Sequence, residues 1–368
     1  MAQVEPLMDR ALALAAREVT LTSPNPRVGC VIATQDGQLL GEGHTQRAGG
    51  PHAEIMALQD ARFRGNVVNG ATAYVTLEPC SHQGRTGPCC DALAGAGIKK
   101  VVASIADPNP LVCGQGFARL RAAGVEVEIG AGAAQSRDLN IGFFSRMIRK
   151  TPWVRMKVAA SLDGRTALEN GSSQWITSDA ARADGHAWRA RSCAVLSGIG
   201  TVLADNPRLD VRLADTLRQP QLVIVDSRLE TPLNANIFIA DRVIWIYSAE
   251  ENEAKRAALE ARGANVLRLA GANNKVDLAG MLHDLAQREV NEVLLEAGQK
   301  LNGSFIREGL VDEFVVYLAP KLIGLGQGMA QFGPLTTLAQ AVPLEIKSTD
   351  RLGVDLRIVA VVSGRDQF

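Results

Sequence analysis

The sequence predicts an α/β fold divided between two domains, and three observations carry that reading. At 368 residues the chain exceeds the roughly 100–200 residues that one core usually organises. Short runs rich in Val, Ile and Leu alternate with segments whose apolar residues recur at helical spacing, the pattern of sheets covered by helices. A basic stretch within residues 142–154 runs into Thr151-Pro152 before a fresh apolar run at 153–160, which reads as a join. The boundary is expected near 145–150, giving domains 1–147 and 148–368.

In the first half, residues 4–18 place Leu7, Ala11, Leu14 and Ala15 on one face of an expected helix. Apolar runs at 28–34 and 39–44 flank Gln35-Asp36-Gly37-Gln38, a hairpin signal because Gly37 accepts positive φ. A helix over 52–62, a strand at 71–77 and a helix from Cys89 come next. A strand at 100–105, a helix near 117–123 and a strand at 125–129 complete a mixed sheet with helices on its faces. In the second half strands are expected at 153–160, 193–198, 222–226, 243–247, 265–269, 292–296 and 313–319. Helical patterns over 250–262 and 278–288 separate several of them. No internal repeat is present.

Composition narrows the function. Lys+Arg and Asp+Glu both number 39, so net charge is zero, which argues against a general nucleic-acid or membrane surface. A few local arginines would still serve a small anion. No uncharged apolar run reaches the roughly 18–20 residues of a membrane span. Met1-Ala2-Gln3-Val4-Glu5-Pro6 lacks the basic-then-apolar order of a secretory leader, so a cytoplasmic setting is expected. Six cysteines are too sparse for a disulfide scaffold, and in a reduced compartment clustered cysteines serve metal or catalysis. Cys30 and Cys193 sit in apolar runs and read as buried. Cys113 lies in a loop-like stretch, and Cys90 adjoins a better candidate. Cys80 and Cys89 remain.

His52-Ala53-Glu54 opens one expected helix, and Glu78-Pro79-Cys80 precedes Pro88-Cys89 at the start of another. One imidazole and two thiolates make a three-ligand zinc site whose fourth position is open to water, the catalytic pattern. A helix N-terminus favours thiolate over thiol at Cys89. Glu54, two residues from His52, is near the metal without binding it and suits a proton shuttle from attacking water to leaving amine. A structural zinc site is the competing reading of the same residues.

This half is similar to the cytidine-deaminase-like superfamily. It departs in cysteine spacing, with eight residues between Cys80 and Cys89 where two are common. The insert itself, Thr76-Leu77-Glu78-Pro79-Cys80-Ser81-His82-Gln83-Gly84-Arg85-Thr86-Gly87-Pro88-Cys89, resembles the bifunctional deaminase/reductases of riboflavin biosynthesis. So do Pro24-Asn25-Pro26-Arg27-Val28-Gly29 and Asp107-Pro108-Asn109-Pro110, and the resemblance continues over nearly the whole chain. It implies a cytidine-deaminase-like first domain and a dihydrofolate-reductase-like second domain. The implied first step is hydrolytic deamination of 2,5-diamino-6-(5-phosphoribosylamino)pyrimidin-4(3H)-one. The second is NADPH reduction of the ribosyl group of 5-amino-6-(5-phosphoribosylamino)uracil to ribityl. Asn25, His44, Arg85 and Asn109 would contact the first substrate. His82 is not a ligand position in that family and is expected as a solvated loop residue. A homo-oligomer, dimer or tetramer, is also implied.

In the second half, Lys157-Val158-Ala159-Ala160-Ser161-Leu162-Asp163-Gly164-Arg165 reads as a strand entering a turn. Glu296-Ala297-Gly298-Gln299-Lys300-Leu301-Asn302-Gly303-Ser304 ends a strand and opens a helix. Bare backbone N–H groups at a helix start suit a pyrophosphate. No GxGxxG follows an early strand, so a Rossmann fingerprint is missing. The order of segments resembles the NADPH-dependent reductase of the same family. By that resemblance Ala159, Trp175, Thr201, Asp205, Ser227 and Gly298, Gln299, Lys300, Leu301, Asn302, Gly303 and Ser304 would hold the cofactor. Lys157, Ser173, Arg189, Leu209, Arg212 and Glu296 would face the sugar phosphate, with Arg189 and Arg212 as a guanidinium pair. Lys157 and Asp205 are the candidates for proton traffic.

Three rivals stand against this reading: a nucleic-acid-editing zinc deaminase with an accessory domain, a non-catalytic relic, and a chain with one active half. Zero net charge opposes the first, and the intact set His52, Glu54, Cys80 and Cys89 opposes the second.

Overall fold

The computed structural model describes residues 4–17, 22–81, 87–110 and 112–368. The chain divides into two compact units, Met1–Arg149 and Lys150–Phe368. Among the described residues no helix is long and apolar enough to cross a membrane.

The first unit runs α1 (Val4–Ala15), β1 (Gly29–Ala33), β2 (Leu39–His44), α2 (Ala53–Phe63), β3 (Thr72–Val75) and α3 (Cys89–Gly95). It continues through β4 (Lys100–Ala103), α4 (Gln115–Ala122), β5 (Glu126–Ile129), α5 (Ala133–Leu139) and α6 (Ile141–Arg149). The sheet order is β2-β1-β3-β4-β5. β1 is antiparallel to both neighbours, while β3, β4 and β5 are parallel. Every residue of β1 and β3 is buried, as strands covered on both faces require. Met8, Ala11 and Leu14 of α1 pack on Val31, Ala33, Tyr74 and Val102. Ala53, Ala57 and Ala61 give α2 a buried row of small side chains that lets it lie close against β2.

The registers decide where the motifs meet. Gly29 pairs with His44, Cys30 with Val75, and Val75 with Ala103. The end of β2, the start of β1 and the carboxyl ends of β3 and β4 therefore share one edge of the sheet.

Residues 142–149 of the stretch that reads as a join lie in α6, and the two units divide after Arg149. Its basic residues are not linker charges. Ile141, Phe143 and Phe144 are buried, Arg146 Nη2 donates to the Pro24 carbonyl at 3.1 Å, and Arg149 donates to Ser145 Oγ.

The second unit runs β6 (Trp153–Ser161), β7 (Arg165–Leu168), α7 (Asp179–Arg191), β8 (Ala194–Gly198), α8 (Ile199–Asp205), β9 (Gln221–Val225) and β10 (Ile244–Ser248). It continues through α9 (Glu253–Glu260), β11 (Ala264–Arg268), α10 (Leu278–Gln287), β12 (Glu292–Leu295) and α11 (Gln299–Arg307). β13 (Glu313–Ala319), β14 (Gly326–Gly328), β15 (Leu344–Leu352) and β16 (Asp355–Val362) complete it. A nine-stranded sheet has the order β11-β10-β9-β8-β12-β6-β13-β16-β15. Its first seven strands are parallel and are the seven that the sequence predicts. β16 and β15 close the edge antiparallel. From β8 the chain moves toward β9, and from β12 it crosses β6 to β13, in the opposite direction across the sheet. The carboxyl ends of β8 and β12 therefore flank a topological switch point, where open α/β sheets bind ligands.

At the amino ends of β6, β12 and β13 lies a buried charge network. Arg155 of β6 reaches Glu292 at 2.9 Å and Glu313 at 2.8 Å, and its guanidinium lies 4.7 Å from the Trp188 ring centre. Glu313 also accepts from Trp153 Nε1 at 2.7 Å. Arg155→Ala would leave two carboxylates buried without their central cation. We expect it to destabilise this unit by about 3–5 kcal/mol. All four tryptophans lie in this unit, so the urea transition of tryptophan fluorescence measures it directly. An unshifted midpoint would reject the assignment.

Candidate active sites

In the first unit, Cys80 follows β3, Cys89 opens α3 and His52 is the residue before α2, in extended conformation. His52 Nδ1 lies 3.5 Å from Cys80 Sγ and 3.4 Å from Cys89 Sγ. Among the described residues these three form the one group of metal-capable side chains, with ligand atoms all within 4.8 Å of one another. The Cys89 N–H, at the start of α3, donates to Cys80 Sγ at 3.3 Å. Donation from Cys89 and His52 pulls the Cys80 thiol down to about 4. Cys89 is pushed up, because it donates to Cys80 and is buried beside Glu54. One thiolate thus opposes the next, and a divalent cation would relieve that repulsion. The donor set fits zinc.

Glu54 lies in the first turn of α2 and is buried. Burial and the Cys80 thiolate push its carboxyl up to about 7, against His52 and a hydrogen bond with Cys89 that lower it. His44 is half-buried at the end of β2 and takes a contact from Gln46 Nε2 at 3.3 Å. Asn25 donates its N–H to the Thr22 carbonyl at 2.8 Å. The next turn is pinned by buried Arg27, whose N–H donates to Asn140 Oδ1 at 2.7 Å and whose Nη1 donates to the Leu139 carbonyl at 2.8 Å. Asn109 lies beyond β4, at the same sheet edge. Arg85 and His82 lie outside the described residues.

In the second unit, Lys157, Arg189, Arg212 and Glu296 are drawn into one connected cluster. Glu296 is mostly buried among cations. Arg189 donates from Nε at 2.5 Å and from Nη2 at 3.0 Å, and Lys157 Nζ lies 3.5 Å away. These cations hold the Glu296 carboxyl down to about 2 against the opposing effect of burial. Arg189 Nη1 donates to the Asp210 carbonyl at 3.0 Å. Arg212 pairs with the Asp210 side chain, and Arg208 Nε reaches the same carboxylate at 2.9 Å. The expected arginine pair is thus split: Arg189 is committed to Glu296, while Arg212 remains part-exposed on Asp210. Leu209 is buried at φ 54, and its carbonyl accepts from Arg242 at 2.6 Å.

The residues expected around the cofactor are more dispersed. Gly298 precedes α11, and the space where a side chain would project from it is open, as it is at Gly200. Leu301 packs on Gly198. Asn302 and Gly303 turn inward instead. Asn302 donates to the Met329 carbonyl at 2.9 Å, and a Cβ on Gly303 would lie 1.8 Å from the Gln331 carbonyl oxygen. Ser304 Oγ donates along α11 to the Lys300 carbonyl. Trp175 is exposed beneath the Arg182 guanidinium, 4.5 Å from its ring centre. Ser227 accepts the Val276 N–H at 3.3 Å. Asp205 ends α8, where burial raises its carboxyl. Ala159 packs against the Tyr317 cluster, and Thr201 and Ser173 are half-buried.

Comparisons with known proteins agree across both units. Residues 1–105 match the cytidine and deoxycytidylate deaminase zinc-binding region, and residues 152–358 match the RibD C-terminal domain. The riboflavin biosynthesis protein RibD of Escherichia coli is 43% identical over 363 residues, 96% of this chain and 98% of that protein. The Aquifex aeolicus RibD is 40% identical over 95% of this chain and 96% of its own length. The solved Acinetobacter baumannii RibD is 41% identical, with a TM-score of 0.89 over 98% of this chain and 99% of that one. The chain belongs to the RibD family. It is a bifunctional deaminase and reductase of riboflavin biosynthesis, with a zinc-binding deaminase domain and an NADPH-type reductase domain. The RibD deaminase and reductase folds account for the five-stranded and the nine-stranded sheet. A Thermotoga maritima structure, 31% identical with a TM-score of 0.86 over 98% of this chain and 99% of that one, is named as a diaminohydroxyphosphoribosylaminopyrimidine deaminase/5-amino-6-(5-phosphoribosylamino)uracil reductase.

Two residues of this RibD-family chain escape sequence reasoning. Glu78, quoted only as part of a motif, is a buried carboxylate with four backbone partners. His186 is a lone histidine in a polar helical stretch, with no spacing to mark it. In the fold it is buried, and its Nδ1 accepts the Arg212 N–H at 3.0 Å, which requires a neutral ring. Burial, Arg189 and Arg212 push His186 down to about 4 from an ordinary 6.5. Between these values the unfolded chain binds a proton that the folded unit refuses, so stability rises with pH there. We expect the reductase unit to lose stability as pH falls from about 6.5 to about 4, and His186→Gln to flatten that dependence. Urea midpoints across this range check it, and an unchanged slope in the variant would reject it.

Proposed function

We propose that the deaminase unit acts on 2,5-diamino-6-(5-phosphoribosylamino)pyrimidin-4(3H)-one and that the reductase unit reduces 5-amino-6-(5-phosphoribosylamino)uracil with NADPH. The observation that carries this is His52, Cys80 and Cys89 converging beside buried Glu54 at the sheet edge that also presents His44 and the Asn25 and Asn109 loops. His52, Cys80 and Cys89 would hold zinc, which when bound supplies a Lewis acid that makes water nucleophilic at neutral pH. Glu54 moves the proton: it takes one from the attacking water and returns it to the departing amine, so that ammonia leaves and a carbonyl remains. Asn25, His44, Arg85 and Asn109 orient the pyrimidine and its ribose phosphate.

In the second unit Ala159, Trp175, Thr201, Asp205, Ser227 and residues 298–304 would hold NADPH, which supplies a hydride to the ribosyl C1. Asn302 and Gly303 act from below, fixing the segment around Met329 and Gln331. Lys157, Ser173, Leu209, Arg212 and Glu296 face the sugar phosphate. Arg189 shapes the site through Glu296 and the Asp210 carbonyl, leaving Arg212 to meet the phosphate. Lys157 and Asp205 are the groups placed to move a proton. The substrates are phosphorylated small molecules, and the setting is cytoplasmic.

Glu54→Gln should retain zinc by elemental analysis yet deaminate about 10²–10⁴-fold more slowly. His52→Ala should lose deamination while still oxidising NADPH when the aminouracil is supplied. A folded His52→Ala protein that cannot oxidise NADPH would overturn the assignment of separate sites.

The enzyme works as a homo-oligomer built through the β15 edge. β15 ends the nine-stranded sheet, Ile346 on it is 66% exposed and Leu338 before it 95%, with Leu322, Leu325 and Leu344 also exposed. A long exposed edge strand with apolar side chains is a template for pairing. Ile346→Glu should shift the mass measured by light scattering toward the monomer. A monomeric native protein at micromolar concentration would refute this.

A further inference from the structure

We infer that Glu78 is the positioning residue that fixes the Asn109 loop against the metal ligand Cys80. The inference rests on the proposed reading of Asn109 as a substrate contact. Glu78 is buried between β3 and Cys80, and its two oxygens gather four backbone N–H groups. Oε2 accepts from Asp107 at 3.1 Å and from Gly114 at 2.9 Å. Oε1 accepts from Gly116 at 2.9 Å and from Phe117 at 3.3 Å. The first donor lies at one end of the 107–117 loop and the other three at its far end, so one side chain staples both ends.

The local sequence explains why a remote carboxylate takes this place. α4 begins after Gly114, which sits at φ 76 and has no side chain to cap the first turn. The opening N–H groups of a helix lack intrahelical acceptors and carry the positive end of its dipole. Glu78 supplies both acceptor and charge from another element. The backbone follows: Glu78 N–H donates to the Ile105 carbonyl at 3.0 Å, and a Cβ on Gly116 would lie 2.0 Å from the Pro79 oxygen. Within the loop, the Val112 and Cys113 N–H groups return to the Asn109 carbonyl at 2.8 and 2.9 Å, and the Asn109 N–H donates to Asp107 Oδ1 at 2.8 Å. A continuous hydrogen-bonded path thus runs from the residues before Cys80 to Asn109. Glu78 ties the loop that carries Asn109 to the segment that carries Cys80.

The test is a double-mutant cycle in the full-length holoenzyme with Glu78→Gln and Asn109→Ala. Glutamine keeps the volume but replaces half of the acceptor with a donor facing N–H groups. Glu78→Gln should retain one zinc per chain and lose amide hydrogen-exchange protection at residues 114, 116 and 117. Its KM for deamination should rise about tenfold, the scale of a lost charge-assisted hydrogen bond, with kcat within about threefold. The double variant should be no worse in KM than Asn109→Ala alone, because residues acting through one another are non-additive. Gly116→Ala, which drives a methyl group against Pro79, should reproduce the KM-weighted loss and serves if Glu78→Gln does not fold. KM effects that multiply, a fall in kcat at constant KM, or loss of zinc would overturn the positioning role. An Asn109→Ala enzyme with unaltered KM would instead remove the underlying reading of Asn109, and this inference with it.

Discussion

A carboxylate taken out of water must be surrounded by donors or cations, since an unpaired buried charge costs several kcal/mol. Each unit places one glutamate just beyond a central parallel strand and builds its site around satisfying it. Glu78 follows β3 and gathers four backbone N–H groups. Glu296 follows β12 and gathers Arg189 and Lys157. The choice of partner suits the task. Backbone donors fix a loop without adding charge beside the metal ligands. Cationic donors leave the second site rich in arginine and lysine, as the proposed phosphorylated substrate would require.

The metal ligands obey the same electrostatics with the opposite sign. Two thiols, an imidazole and the Glu54 carboxyl share one buried corner, and every negative charge added there raises the cost of the next. Cys80 takes the first charge because Cys89 and His52 both donate to it. The second must await a cation. Metal binding and ionisation of the second thiol would therefore be one event in this pocket, with the cation taking the place of its proton.

Much of this organisation was legible in the chain because it rests on short-range patterns. Four of the seven parallel strands of the second unit, β8, β9, β10 and β12, are short, mostly apolar runs buried along nearly their whole length, which strands covered on both faces produce without alternation. His52, Cys80 and Cys89 stood out because few residue types bind metal; His52 and Cys89 adjoin expected helix starts, and Cys80 follows the expected strand at 71–77. Other features are set by packing. α7 is polar along most of its length, so hydrophobic period does not reveal it, although Ser178 caps it by accepting the Ala181 N–H. β15 lacks a buried face and therefore lacks alternation. The basic stretch before Thr151 looked like a linker because charge suggests solvent, yet Arg146 and Arg149 turn onto protein oxygens. Glu78 and His186 take their meaning from partners 29 or more residues away, and 26 residues away, respectively. No local pattern encodes that.

Net charge shows the same limit in a form that bears on function. The zero balance argues against an extended polyanion surface, but it averages over regions that differ sharply. Around Asp210 lie Arg189, Arg208, Arg212 and Arg242, and next to them Lys157 faces Glu296. Five cations thus meet two carboxylates, and His186 stays neutral between them. Arg242 registers the surplus: burial and its arginine neighbours push its guanidinium down to about 10. It holds the 208–210 backbone by donating to the Arg208 and Leu209 carbonyls, with Leu209 in a left-handed conformation. A phosphate dianion entering beside Arg212 would relieve the repulsion that this arrangement stores. The folded chain has then already met the cost of assembling the cations, and the substrate gains the attraction.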